Sequence, residues 1–245
     1  MLSATKHTHM PNRKQLFYGD PGIGKSTLAS LYPNPVFVTT EDGVRDIPGA
    51  ISYEVAHTLE ELKANLREIY TADHDRETVI IDSLDWAEPL VWNSLMEGTK
   101  YSSIEEFGFG KGYIMALKVW SEIRMALDHL HAKGMHIVLI CHAHQKKVSP
   151  PEGETYDQVQ PMLHDKAWRM WVQWSTETLA MIHQPVTRAG KDERVRAKGS
   201  RRVIITSPDE GFAVAKNRLG LPARIALDQD NLQTIVHQLT NSPTH

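Results

Sequence analysis

The sequence predicts an α/β protein, with a mostly parallel central sheet, helices on both faces and a C-terminal antiparallel hairpin extension. Three observations carry that expectation. Short apolar runs recur at 16–18, 36–40, 78–82 and 136–141, and most are rich in β-branched residues. Helical periodicity fills the intervals between them. The first run leads straight into a glycine-rich turn and then a helix.

Taken in order, residues 1–13 read as a flexible tail and 14–245 as one domain. LFY (16–18) is the first strand, and Thr27, Leu28, Ala29 and Leu31 begin a helix that Pro33 and Pro35 stop. VFVTT (36–40) is the second strand. Leu59, Leu62, Leu66 and Ile69 mark a helix over 58–70. TVIID (78–82) and HIVLIC (136–141) are buried strands, separated by a long helix over 112–133. Residues 97–112 are glycine-rich and predicted mobile, and 145–161 are too polar and proline-rich to pack. TLAMI (178–182) and RRVIIT (201–206) form a hairpin with a long charged tip, followed by a short strand near 212–215 and a helix over 231–239. Trp168, Trp171 and Trp174 read as one buried helix face, ahead of a base-stacking ladder.

Composition narrows the function. The chain has 245 residues, 41% hydrophobic and 23% charged, enough for a core without staples. The single cysteine, Cys141, excludes an internal disulfide and a Cys-built zinc site, and fits a reducing cytoplasmic setting. The opening residues have no apolar run of the signal-peptide kind, and no membrane span is expected. Net charge is −3, which disfavours an indiscriminate nucleic-acid binder.

Residues 19–26, GDPGIGKS, are a complete phosphate-binding loop. Backbone N–H groups of Gly19, Asp20, Pro21, Gly22, Ile23, Gly24 and the residues that follow would cradle phosphate, with proline supplying no N–H. The next helix offers its positive end. Lys25 reaches the β- and γ-phosphates of ATP, Ser26 can ligate Mg²⁺, and Thr27 follows in the same turn. Asp82, closing a buried strand, is the expected second Mg²⁺ holder, with Asp85 the weaker alternative. Glu41 ends the strand VFVTTE and is positioned to orient an attacking water; from position alone it equally reads as a solvated loop acid.

GDPGIGKST, VFVTTEDG and TVIIDSLDW together resemble the RecA-like P-loop core in its single-domain, phage-encoded form. The likeness continues through FGFGKGY (107–113), 141–171 and AKNRLGLP (215–222). It implies an ATPase using Mg²⁺ and ATP, assembled as a filament or ring with ATP at subunit interfaces. It further implies single-stranded DNA as ligand, annealing or strand exchange as activity, and a single-strand-binding protein as companion. Glu41 matches the family's catalytic glutamate. His142 matches its γ-phosphate sensor, although the family uses glutamine there; His144 and Gln145 remain alternatives. Lys216 and Arg218 match basic residues that reach a neighbour's ATP.

Nucleic-acid contacts are expected at three places. Residues 187–202 hold Arg188, Lys191, Arg194, Arg196, Lys198, Arg201 and Arg202 against two acids, a local net charge of +5. Lys146 and Lys147 open the polar stretch after the fourth apolar run. Lys111 sits among Phe107, Phe109 and Tyr113, a pairing that suits single strands. Two other classes share the motifs: a small-molecule kinase with 188–202 as lid, and a helicase or packaging motor.

Overall fold

Five consecutive residues of the strand Lys14–Gly19 (β1) are buried, so this strand must lie inside a sheet covered on both faces. The computed structural model describes residues 12–151, 153–189, 195–207 and 213–241, and leaves the side chains of 186–189 and 195–199 undescribed. The other strands are β2 (Pro35–Thr39), β3 (Thr78–Asp82), β4 (His136–Val148), β5 (Tyr156–Pro161), β6 (Glu177–Ala189), β7 (Val195–Ile205) and β8 (Arg224–Ala226). The helices are α1 (Lys25–Ala29), α2 (Leu59–Thr71), α3 (Leu84–Met96), α4 (Lys111–Ala132), α5 (Asp165–Trp174) and α6 (Leu232–Thr240).

The sheet order is β2-β3-β4-β1-β6-β7-β8, with β5 paired to the outer half of β4. β2, β3, β4, β1 and β6 run parallel, and β7 and β8 return antiparallel. This is the predicted architecture: a mostly parallel P-loop core with antiparallel C-terminal strands. Alternation along the strands divides the core. Leu16, Tyr18, Val79, Ile81, Ile137 and Leu139 face the layer of α2, α3, α4 and α5. Phe17, Phe37, Ile80, Val138 and Ile140 face the other side, where α1 and α6 pack.

Local chemistry explains several boundaries. Thr58 and Glu61 form a reciprocal capping box at the start of α2. Trp168 and Trp171 are buried on one face of α5, and Trp171 meets Trp120 and Trp174 edge-on at 5.5 Å, so the tryptophans build core as expected. Lys216 Nζ donates to the carbonyls of Val172, Gln173 and Ser175 and so caps the end of α5.

Three expectations are corrected. Residues 145–161 are a hairpin: β4 continues to Val148, and β5 pairs with it from Ala143↔Pro161 to Val148↔Tyr156. Polar residues suit that ribbon because its outer part stands clear of the core. The expected strand near 212–215 is reduced, among the described residues, to bridges Val159↔Ala213 and Thr178↔Lys216; the third C-terminal strand is β8. Within 97–112, Ile104–Phe107 makes a 3-10 turn, and a Cβ on Gly112 would lie 2.4 Å from the Ile104 carbonyl oxygen, so this stretch packs closely at its base.

At the end of the sheet away from the glycine-rich turn, Arg13 and Glu177 form a buried bidentate ion pair. Gln15 Nε2 donates to Glu177 at 3.0 Å and to the Leu239 carbonyl at 2.9 Å, tying α6 to the sheet. Removing one partner strands a buried charge. Arg13→Met is expected to lower unfolding free energy by about 3–5 kcal/mol. Arg13→Met/Glu177→Met should cost less than the single change, as read from urea unfolding.

Candidate active site

Parallel strands place their C-terminal ends at one edge, and β1, β2 and β3 each end there in a polar turn. After β1, Gly19 lies where a Cβ would fall 2.1 Å from the Met181 carbonyl oxygen, so only glycine fits. The turn then runs through Gly22 and Gly24, the latter at φ 106° as the N-cap of α1. Ile23 between them is fully buried and pins the turn to the core.

Lys25 is buried, and its Nζ donates to the carbonyls of Gly19 and Asp20, each at 3.0 Å. Burial lowers its pKa, and the negative charge of Asp82 works in the opposite direction. Ser26 Oγ donates to Asp82 Oδ2 at 2.6 Å. Burial pushes Asp82 up to about 6, with the Ser26 hydrogen bond opposing and Glu41 adding to the rise. A hydroxyl and a carboxylate oxygen held this closely fit a hard divalent cation that takes its remaining ligands from phosphate and water. Among the described residues no group of three acidic, His or Cys side chains could hold a metal by itself.

Glu41 is brought to this point by β2–β3 pairing. The pairing runs Thr39↔Asp82, and beyond it Thr40 N–H donates to the Asp82 carbonyl at 2.8 Å. Ser83 Oγ then donates to Glu41 Oε1 at 2.6 Å. His142, beside Gly19 where β4 passes the end of β1, is the third wall. Its Nδ1 lies 2.8 Å from Asp85 Oδ2, its backbone N–H donates to Asp85 Oδ1 at 2.8 Å, and Glu41 Oε1 is 4.0 Å away. The Asp85 hydrogen bond raises the His142 pKa. Burial would push Asp85 up, yet the His142 contacts outweigh it and hold the carboxyl low. A cleft of about 380 Å³ is lined by Gly22, Gly24, Lys25, Ser26, Thr27, Glu41, Asp82 and His142, together with Gly43, Asp46 and Ile47.

Most of the predicted nucleotide residues therefore converge. Glu41 and His142 join them, whereas His144 and Gln145 do not line the cleft. Asp85 is not a second cation holder: its two oxygens are committed to His142. Lys216 spends its ammonium on the end of α5. Arg218 is exposed and keeps its expected availability. Of the expected nucleic-acid residues, Lys111 and Lys147 are exposed, and Lys146 pairs with Asp165 at 2.6 Å. Arg201 donates to Gln184 Oε1. Lys191 and Arg194 lie outside the described residues, as do the side chains of Arg188, Arg196 and Lys198. Arg202 belongs elsewhere: its Nη1 donates to the Ile23 carbonyl of the phosphate loop at 3.4 Å.

Two features had no sequence signal. α3 carries Asp85 and Glu88 one turn apart, yet Pro89 interrupts its pattern. Glu88 is buried and accepts the His164 N–H at 3.0 and 3.2 Å, at the start of α5. His164 in turn stacks on Tyr113, with centroids 3.8 Å apart.

The family model described as AAA domain matches residues 11–219. No curated protein matches the chain. Among solved structures, the KaiC-like protein PH0186 from the hyperthermophilic archaeon Pyrococcus horikoshii OT3 aligns over 79% of this chain and 78% of its own, at 13% identity and TM-score 0.38.

Burial raises Glu88 from its ordinary 4.5 to about 7, with the His164 hydrogen bond opposing. The unfolded chain thus releases this proton at lower pH than the native one. The contribution to stability is complete below about 4.5 and lost as pH rises through 7. Glu88→Gln removes that loss. Relative to wild type, the variant should gain on the order of 2–3 kcal/mol between pH 5 and pH 8 in urea unfolding. A constant difference across that range would assign Glu88 no such role.

Proposed function

The chain belongs to the AAA domain family of P-loop ATPases, and on that footing we propose that it is a RecA-like recombinase core. In this reading it uses ATP and Mg²⁺, binds single-stranded DNA, and promotes annealing or strand exchange in phage recombination. One juxtaposition carries the proposal: Glu41 lines the same cleft as Lys25, Ser26 and Asp82.

The chain's residues divide the work. Loop N–H groups bind the α- and β-phosphates, and Lys25 binds the β- and γ-phosphates and takes up charge as the γ-phosphoryl departs. Mg²⁺, held by Ser26 Oγ and Asp82, would supply further charge neutralisation. Glu41 accepts a hydrogen bond from the attacking water and aligns it, while Ser83 keeps the carboxylate in place. His142, fixed by Asp85 through Nδ1, has Nε2 left to sense the γ-phosphate. Arg218, exposed after the Lys216 cap, is available to complete a neighbouring subunit's site, and the trans role proposed for the Lys216–Arg218 pair passes to it.

Support for a nucleic-acid ligand comes from the loop before α4. Phe109 is fully exposed at φ 48° between Gly108 and Gly110, and exposed Lys111 follows. An aromatic ring presented beside a cation suits stacking on an unpaired base with a nearby phosphate. The basic hairpin of β6 and β7 rises from the same edge of the sheet, because β6 runs parallel to β1. Its charge fits a salt-dependent grip on a polyanion.

ATP hydrolysis measured with and without single-stranded DNA tests the reading. DNA should stimulate turnover, and Phe109→Ala should remove most of the stimulation. Phosphate transfer to a nucleoside would instead identify a kinase, and duplex unwinding a motor. Lys25→Ala should abolish hydrolysis. Glu41→Gln should slow turnover by about 100-fold while ATP affinity stays within about threefold. Glu41→Gln and Arg218→Ala, each strongly impaired alone, should recover activity on mixing, since one supplies an intact Arg218 to the other's intact Glu41.

A further inference from the structure

We propose that Arg202 is a positioning residue of the nucleotide site, acting in cis through the backbone of the phosphate loop. It lies on β7, opposite His183 of β6, and its carbonyl accepts the Leu227 N–H at 2.9 Å. Both sides of the residue are therefore tied into the sheet. β6 is the neighbour of β1, with Met181 beside Gly19, so the strand pair rises next to the loop.

The half-buried guanidinium closes that short distance. Nη1 donates to the Ile23 carbonyl oxygen at 3.4 Å, and a Cβ built on Gly24 would sit 3.2 Å from the same nitrogen. This is the guanidinium's one hydrogen bond among the described residues.

The consequence follows from the planar trans peptide. In the Ile23–Gly24 unit the carbonyl and the N–H point in opposite directions. Holding the Ile23 oxygen outward on Arg202 holds the Gly24 N–H on the opposite side, the side of the phosphate cradle. Gly24 at φ 106° would otherwise be free to turn this peptide over, because glycine crosses that region at little cost. The buried Ile23 side chain fixes the residue's position but not the rotation of the following peptide. Arg202 fixes the rotation. A positive charge on the carbonyl side also polarises the peptide and strengthens its N–H as a donor to phosphate.

The loop N–H groups grip the α- and β-phosphates, so the effect belongs to nucleotide binding and not to the chemical step. At 3.4 Å the bond is longer than a tight N–H···O contact, which sets the scale at several-fold.

Calorimetric titration of the full chain with ADP, ATP and AMP, in the absence of nucleic acid, tests this independently of the DNA reading. Arg202→Ala should weaken ADP and ATP by a common factor of roughly five to ten and AMP by less. In steady state the loss should fall on KM more than on kcat. Arg202→Lys, which keeps a charged donor, should recover most of the affinity, and it stands as the folded comparison if the alanine variant is unstable. Unchanged ADP affinity in Arg202→Ala would overturn the proposal. So would a lysine variant as weak as alanine, or a fall in kcat with KM unaltered.

Discussion

Parallel pairing of β1 with β4, of β4 with β3 and of β3 with β2 sets every distance in the site. Each strand is in register with its neighbour to within the last residue: Gly19 beside His142, and Asp82 beside Thr39. The phosphate loop, the Asp82 carboxylate, Glu41 and His142 therefore meet without any one of them reaching far. A one-residue slip of β2 would carry Glu41 off the Ser83 hydroxyl and invert the core face of Phe37 and Val38 together. The burial that fixes register is thus the same burial that fixes the chemistry.

Within that frame the carboxylates take different parts because their surroundings differ. Asp82 is desolvated beside Ser26 and rises to about 6, which makes it a strong partner for a cation. Asp85, three residues on, is as buried, yet the His142 contacts hold it low. Glu88, another turn along α3, receives a backbone N–H as its one hydrogen-bond donor among the described residues and rises to about 7. One helix and the strand before it thus present three acids tuned by partner number rather than by residue type.

The sheet, the phosphate loop and the Asp82 and Glu41 positions were legible because each is a local pattern: an apolar run, a glycine spacing, an acid at a strand end. His142 was legible as a position but not as half of a pair, since Asp85 lies 57 residues away and joins it only through strand order. The β4–β5 ribbon hid for a related reason. Its outer polar residues have no core face, so alternation leaves no trace there. Lys216 and Arg202 show the limit most plainly. Both are cations in basic stretches, and the sequence assigns them to ligands outside the chain. In the fold each donates to backbone carbonyls, Lys216 at the end of α5 and Arg202 at Ile23. Backbone acceptors carry no sequence signature, so a cation committed to one is indistinguishable from a free cation until the fold is seen.

The two ends of the sheet show what separates a structural charge from a working one. At the far end, Arg13 meets Glu177 through two contacts, and Gln15 and Thr176 fill the remaining carboxylate positions at 3.0 and 2.8 Å. These bonds join β1, β6 and α6, and they leave the Glu177 carboxylate fully partnered. At the near end, among the described residues, Lys25 donates to two backbone carbonyls, the Asp82 carboxylate accepts one hydroxyl, and the Glu41 carboxylate accepts from Ser83 with His142 at 4.0 Å. Lys25 and Asp82 are desolvated, and their protein partners offset that burial only in part. A polyphosphate with its cation would supply matching groups: anionic oxygens for Lys25 and the loop N–H groups, and a positive centre for Asp82. The surrounding strands are too well packed to collapse around these groups, so their desolvation is left for a ligand to offset.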